Sequence, residues 1–170
     1  MDLKEKFRHV LGFPKEGIDF IDITPVLQDK DAFKFAMDKL IEAVKGYEFD
    51  IIVGPESRGF IFGAPMAYAL NKGFVPIRKK GKLPYKTIQV EYELEYGTDI
   101  LEMHADAIKP GQKVIIVDDL LATGGTTASN IKLIEQLGGI VTGIVYLIEL
   151  SALKGREKLA GYDVQSIVTF

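Results

Sequence analysis

Three aliphatic runs organise the chain: Asp50–Gly54 (DIIVG), Lys113–Asp118 (KVIIVD) and Ile140–Leu150 (IVTGIVYLIEL). They are short, rich in β-branched residues and do not alternate with polar ones. That pattern predicts strands buried on both faces of a parallel sheet. Phe74-Val75-Pro76-Ile77 reads as a further strand, with Pro76 favouring an edge or an end because it cannot donate to a ladder. Helical spacing falls between these runs. Asp31 can cap a helix reaching Lys45, with Phe35, Leu40, Ile41 and Val44 as buried positions and Gly46 as its stop. Gly59–Leu70 is small and apolar and ends near Asn71 or Gly73. Thr126–Leu137 places Ile131, Leu133, Ile134 and Leu137 on a helix that Gly138-Gly139 terminates. The alternation of strand and helix predicts an α/β fold, a parallel sheet flanked by helices with right-handed crossovers. Thr87–Tyr96 (TIQVEYELEY) instead alternates residue by residue. It reads as an antiparallel strand or hairpin arm outside the parallel core.

At 170 residues the chain suits a single domain, 1–170, large enough to bury a core without staples. Repeats, low-complexity tracts and linkers are not evident. The absence of cysteine excludes disulfides, thiolate zinc sites and cysteine nucleophiles. The two histidines, His9 and His104, are too few for a His-rich metal site. Apolar runs fall short of the about 20 residues that span a bilayer. The N-terminus lacks the apolar segment of a signal peptide, so the expected location is cytoplasmic, without a membrane partner. With 21 basic and 24 acidic residues the net charge is −3, which argues against a broad nucleic-acid surface. Ile77-Arg78-Lys79-Lys80-Gly81-Lys82 is nonetheless strongly basic. Such a run is ordinarily a solvated face; inside an acidic protein it also suits a local anionic ligand.

The segment VIIVDDLLATGGTT, Val114–Thr127, carries the most chemistry. A buried strand runs into Asp118-Asp119, then a short loop, then Gly124-Gly125 and a helix start. Ligands of open α/β sheets bind beyond the carboxyl ends of strands. Loop amides and a helix N-terminus at that edge attract phosphate. The glycines admit close backbone approach, and Thr123, Thr126 and Thr127 add hydroxyls. Asp118 and Asp119 repel phosphate, so they suit a vicinal diol such as ribose. Neither GxxxxGK[ST] nor GxGxxG is present, which excludes the common triphosphate and dinucleotide loops. Pro55-Glu56-Ser57-Arg58-Gly59 forms a second strand-to-helix turn. Arg58 there opposes the helix dipole and needs compensation, which an anionic ligand would supply.

VIIVDDLLATGGTT resembles the phosphoribosyl pyrophosphate (PRPP) signature of type I phosphoribosyltransferases, and is similar to its adenine-specific branch. FPKEGIDFIDITPVL (Phe13–Leu27), Glu56–Phe60, Ile77–Pro84, Leu94–Gly97 and LKGREKL (Leu153–Leu159) match that branch in order, so the resemblance covers almost the whole chain. It implies a small N-terminal hood, roughly residues 1–30, and a mobile catalytic loop, roughly 83–98. It implies purine salvage: adenine and PRPP become AMP and pyrophosphate, with Mg²⁺ held by substrate oxygens and water and with no protein-only metal site. Asp118 and Asp119 would take the ribose hydroxyls, and Ala122, Thr123, Gly124, Gly125 and Thr126 the 5-phosphate. Glu56, Ser57 and Arg58, with Arg78, Lys79 and Lys82, would meet pyrophosphate, leaving Lys80 to solvent. Phe20 and Leu120 would pack on the two faces of adenine. Ile21 stands where the family often has arginine, so a base contact there would come from the backbone. Glu95 would exchange a proton with adenine N7, and Tyr96 would organise the closed loop. The resemblance also implies a homodimer. Two rivals remain: transfer to a 6-oxopurine or another base, and a non-catalytic sensor of PRPP or purines. The role expected of Leu153–Leu159 is structural or interfacial.

Overall fold

The aliphatic runs form the middle of one twisted sheet. The computed structural model describes residues 1–94 and 97–170, so Glu95 and Tyr96 lie outside the described residues. The chain divides into two compact units, 1–39 and 40–170.

In the first unit a 3₁₀ turn, Leu3–Lys6, leads into β1 (Arg8–Leu11), which pairs antiparallel with β2 (Asp19–Asp22). Arg8–Asp22 at 3.8 Å and His9 Nδ1–Asp19 Oδ2 at 2.8 Å tie the strands together. Then come α1 (Thr24–Gln28) and most of α2 (Lys30–Val44). The cap of α2 is Asp29 rather than the expected Asp31. Its carboxylate accepts the amide hydrogens of Asp31 and Ala32 at 2.9 and 3.2 Å. A capping side chain must stand two or three residues upstream of the amides it satisfies; Asp31 is already inside the helix, paired with Lys30. The buried stripe of α2 is Ala32, Ala36, Leu40 and Val44, at intervals of four, with Met37 beside it. Phe35 and Ile41, expected inside, are only half-buried.

The second unit runs β3 (Ile51–Pro55), α3 (Arg58–Ala69), β4 (Gly73–Lys79), β5 (Thr87–Leu94), β6 (Gly97–His104), β7 (Lys113–Leu121), α4 (Gly125–Gln136), β8 (Ile140–Glu149) and β9 (Val164–Thr169). The sheet order is β5-β6-β4-β3-β7-β8-β9. Strands β4-β3-β7-β8-β9 are parallel. The β5–β6 hairpin adds antiparallel to β4. This is the predicted α/β class, and Thr87–Leu94 is indeed a hairpin arm. Strand β4 lies between two neighbours, yet β6 reaches only Arg78 and Lys79. Pro76 therefore sits where β4 has β3 alone beside it, which is where a residue without an N–H is tolerated.

Strand β7 is longer than expected. Its ladder with β8 continues through Asp118 to Leu121↔Glu149, so the acidic pair belongs to the strand and not to a following loop. Ile52, Val53, Val114–Val117 and Ile144–Ile148 are all at most 1% exposed, which explains their unbroken apolar character. No helix among the described residues is long and apolar enough to cross a membrane.

Ile116, fully buried on β7 in the middle of the five parallel strands, tests this packing. Ile116→Ala is expected to lose about 2–5 kcal/mol of unfolding free energy, read from urea titrations. A loss near zero would contradict a close-packed centre.

Candidate active site

Neighbouring parallel strands β3 and β7 end side by side, and each is followed by a helix start. Their carboxyl ends enclose a cleft of about 220 Å³. Glu56, Ser57, Arg58, Asp118, Asp119, Leu120, Ala122, Thr123, Gly124, Gly125 and Thr126 all line it. Two turns separated by about 60 residues of sequence thus meet in one place, as the rule for ligands at the carboxyl edge of a sheet requires.

Successive side chains of a strand point to opposite faces. Asp118 and Asp119 nevertheless both border the cleft, because it lies at the strand's end. The Asp118 carboxylate accepts the Asp119 amide hydrogen at 2.8 Å. Burial pushes the Asp118 carboxyl well above the usual range, the Asp119 carboxylate adds to this, and Arg58 opposes it. Such a carboxyl gains from a hydroxyl donor or a cation brought by a ligand. Arg58, the first residue of α3, forms an ion pair from Nε to Asp119 Oδ2 at 2.8 Å. The compensation that Arg58 needs at a helix N-terminus therefore comes from Asp119, within the protein.

The basic stretch is organised by Glu56, whose side chain is 12% exposed. Its carboxylate accepts the Lys79 amide hydrogen at 2.7 Å and the Lys82 ammonium at 3.2 Å. Arg78 Nε lies 3.3 Å from it. Burial would raise the Glu56 carboxyl, but the Lys79 amide, Lys82 and Arg78 outweigh it, and the net shift is downward. The Lys79 ammonium pairs with Asp99 of β6 at 3.5 Å. The Arg78 guanidinium stands 5.9 Å from the Phe60 ring centre. Lys80 is exposed. Sequence reasoning grouped Glu56 with the cations but missed that it holds them. One acid in a turn gives no sign of a partner 23 residues away.

The loop between β7 and α4 is held from beneath by LKGREKL. Gly124 has φ +85°, and a Cβ on it would stand 2.5 Å from the Gly155 carbonyl oxygen. A Cβ on Gly155 would strike the Ala122 carbonyl and lie 2.7 Å from Leu121 Cδ1. Only glycine at both places permits this approach. Arg156 locks the segment, donating to both Glu149 oxygens at 2.8 Å and to the Val164 carbonyl at 2.7 Å. Leu159 is buried at 1% exposure. This gives Leu153–Leu159 a structural role. On the other side, Thr127 in the first turn of α4 hydrogen-bonds the buried Tyr146 hydroxyl of β8.

In the first unit, Phe20 is half-buried with its ring edge against Phe13, centroids 5.2 Å apart. Ile21 is 4% exposed, so its side chain serves the core and its backbone is what remains to offer. Glu95 and Tyr96 were expected to be catalytic and lie outside the described residues.

Comparison with known proteins decides the family. The profile of the phosphoribosyl transferase domain matches residues 22–169. Adenine phosphoribosyltransferase of Caldicellulosiruptor saccharolyticus is 76% identical over 170 residues, spanning all of this chain and 97% of that one. The chain belongs to the adenine phosphoribosyltransferase family. The crystal structure of adenine phosphoribosyltransferase from Thermoanaerobacter pseudethanolicus superposes with a TM-score of 0.96 at 57% identity, covering 99% of this chain and 98% of that one. The Saccharomyces cerevisiae adenine phosphoribosyltransferase, complexed with D-2,5-dideoxy-2,5-imino-altritol 1,6-bisphosphate and adenine, does so with 0.91 at 43% identity, covering 97% and 96%. A phosphoribosyltransferase needs a sugar-phosphate cradle, and in this chain the cleft between β3 and β7 is built from neutral loop, paired acids and an arginine.

Two outcomes follow for the scaffold of that cleft. Gly155→Ala is expected to cost about 1–3 kcal/mol of stability through overpacking against backbone, read as a lowered urea midpoint. The lowered Glu56 carboxyl contributes stability that is present above its unfolded value, near 4.5, and is lost as pH falls through its folded value. Glu56→Gln should therefore be less stable than the parent at pH 7 and converge with it at pH 3; a gap that widens on acidification contradicts the assigned ion pairs.

Proposed function

We propose that this chain is a purine-salvage enzyme that converts adenine and PRPP to AMP and pyrophosphate. The observation that carries the reading is the cleft itself: Asp118 and Asp119, the loop Ala122–Thr126 and the turn Glu56–Arg58 converge at one sheet edge, in a chain 76% identical to an adenine phosphoribosyltransferase. A relative at 43% identity holds adenine together with a sugar bisphosphate analogue, which supports both halves of the substrate pair.

In this reading, loop amides and the Thr123 and Thr126 hydroxyls bind the 5-phosphate. Asp118 and Asp119 accept hydrogen bonds from the 2- and 3-hydroxyls of ribose. Glu56, Ser57 and Arg58, with Arg78, Lys79 and Lys82, receive the pyrophosphate; its charge competes with Glu56 and Asp99 for these cations. Phe20 and Leu120 hold the faces of adenine, with the Ile21 backbone available to its edge. Adenine N9 attacks ribose C1 as the bond to pyrophosphate breaks, through an oxocarbenium-like transition state and with inversion. Glu95 takes the proton at N7, and Tyr96 steadies the loop 83–98 as it closes to exclude water. Fixed donors, aimed before reaction, stabilise charge on the departing pyrophosphate.

Mg²⁺ fits the oxygen donors of this cleft: the Asp118 and Asp119 carboxylates offer hard oxygen, directly or through water. Substrate oxygens and water would make up its shell, with Asp118 and Asp119 meeting it through that water, and when bound it would offset charge on the pyrophosphate. A single domain with a hood over residues 1–30, a homodimeric assembly and a cytoplasmic location belong to the same reading and rest on the family resemblance.

The deciding assay is PRPP-dependent nucleotide formation with adenine, hypoxanthine, guanine and xanthine. AMP formation should dominate; preference for a 6-oxopurine, or no turnover with any base, would overturn the proposal. Asp119→Asn is expected to lower kcat/KM for PRPP about tenfold or more, as loss of a charged hydrogen-bond acceptor does. Glu95→Gln should lower kcat by about 10²-fold with KM for PRPP little changed, the scale of general acid–base catalysis.

A further inference from the structure

The cleft's lining holds three carboxylates, Glu56, Asp118 and Asp119; Glu56 is met by Arg78 and Lys82, and the lining's one cation, Arg58, serves Asp119. From Leu120 to Thr127 the lining is wholly neutral. A phosphate monoester carries about −1.5 to −2 charges near neutral pH. Amides and hydroxyls solvate that charge without cancelling it, and the neighbouring carboxylates work against it.

A cation is delivered to this loop from outside the cleft's own two turns. Lys158 lies on the 3₁₀ turn Gly155–Leu159. Its Cβ is 3.3 Å from where a Gly124 Cβ would stand, and its ammonium is 3.9 Å from the corresponding point on Gly125, the first residue of α4. An ammonium beside the positive end of a helix is unfavourable by itself. Most other lysines near the cleft have an acid: Lys79 has Asp99, and Lys82 has Glu56. Among the described residues Lys158 forms neither an ion pair nor a hydrogen bond. Its side chain is exposed, but the turn that carries it is held by Arg156 on Glu149 and Val164, by Gly155 against Ala122 and by Leu159 in the core.

We infer that Lys158 is a phosphate-binding residue: its ammonium neutralises the 5-phosphate of PRPP and AMP at the Ala122–Thr126 loop. The inference rests on the function proposed above and adds to it a charge that the signature motif lacks. It also gives the second half of LKGREKL a purpose beyond support. Arg156, Gly155 and Leu159 fix the turn, and Lys158 is what the turn presents.

The test compares Lys158→Gln and Lys158→Arg with the parent enzyme, using AMP, ribose 5-phosphate and adenine as titrants. In Lys158→Gln, AMP and ribose 5-phosphate should each bind about tenfold more weakly, the scale of one charge-assisted contact. Adenine binding and the melting temperature should stay unchanged. KM for PRPP should rise by a similar factor with kcat little altered, and Lys158→Arg should restore most of the loss. Unchanged affinity for both phosphates, or equal weakening of adenine, overturns the inference. Because ribose 5-phosphate binding needs no turnover, a parent that failed to make AMP would refute the proposed reaction while leaving the role of Lys158 separately decided.

Discussion

Opposite charges confined to the end of one sheet are the interaction on which the site depends. Glu56 gathers Arg78, Lys82 and the Lys79 backbone, and Asp119 holds Arg58. Cations gathered at one sheet end would repel one another without such acids between them. With the acids in place, the cations are oriented before a ligand arrives, and part of the reorganisation cost is met during folding. The same acids would compete with any anion for these cations.

The backbone arrangement makes this charge distribution possible. Strands β3 and β7 are adjacent and parallel, so both turns at their carboxyl ends open on the same side. Strand β8 runs beside β7 as far as Glu149, and Arg156 uses Glu149 to bring the following turn back beneath the loop. The hairpin β5–β6 is joined to the cleft by Lys79, whose amide goes to Glu56 and whose ammonium goes to Asp99. The segment expected to cover the substrate is thus connected to the Glu56 turn of the cleft.

Much of the fold was legible because the parallel strands are buried on both faces, and continuous aliphatic runs betray them. Strands β6 and β9 were not legible: Thr98, Asp99, Gln165 and Ser166 interrupt their apolar residues, and their pairing comes from distant neighbours. The length of β7 was underestimated because its last residues, Asp119 to Leu121, follow an acidic pair, while their partners in β8 are a further part of a long apolar run. The cap of α2 was misplaced by two residues, since both Asp29 and Asp31 are chemically able and only the chain path selects Asp29. In the cleft, residue types and order pointed to the two turns. The internal pairing of Arg58 with Asp119, and of the basic run with Glu56, depends on three-dimensional proximity that spacing does not encode.

The contact between Gly124 and Gly155 joins two stretches of main chain with no side chain between them. Most packed contacts can be retuned, since a larger residue on one side can be matched by a smaller one on the other. Here there is no smaller residue to substitute. Mutational drift at either glycine has no compensating partner, so the loop and the turn must be inherited as one piece.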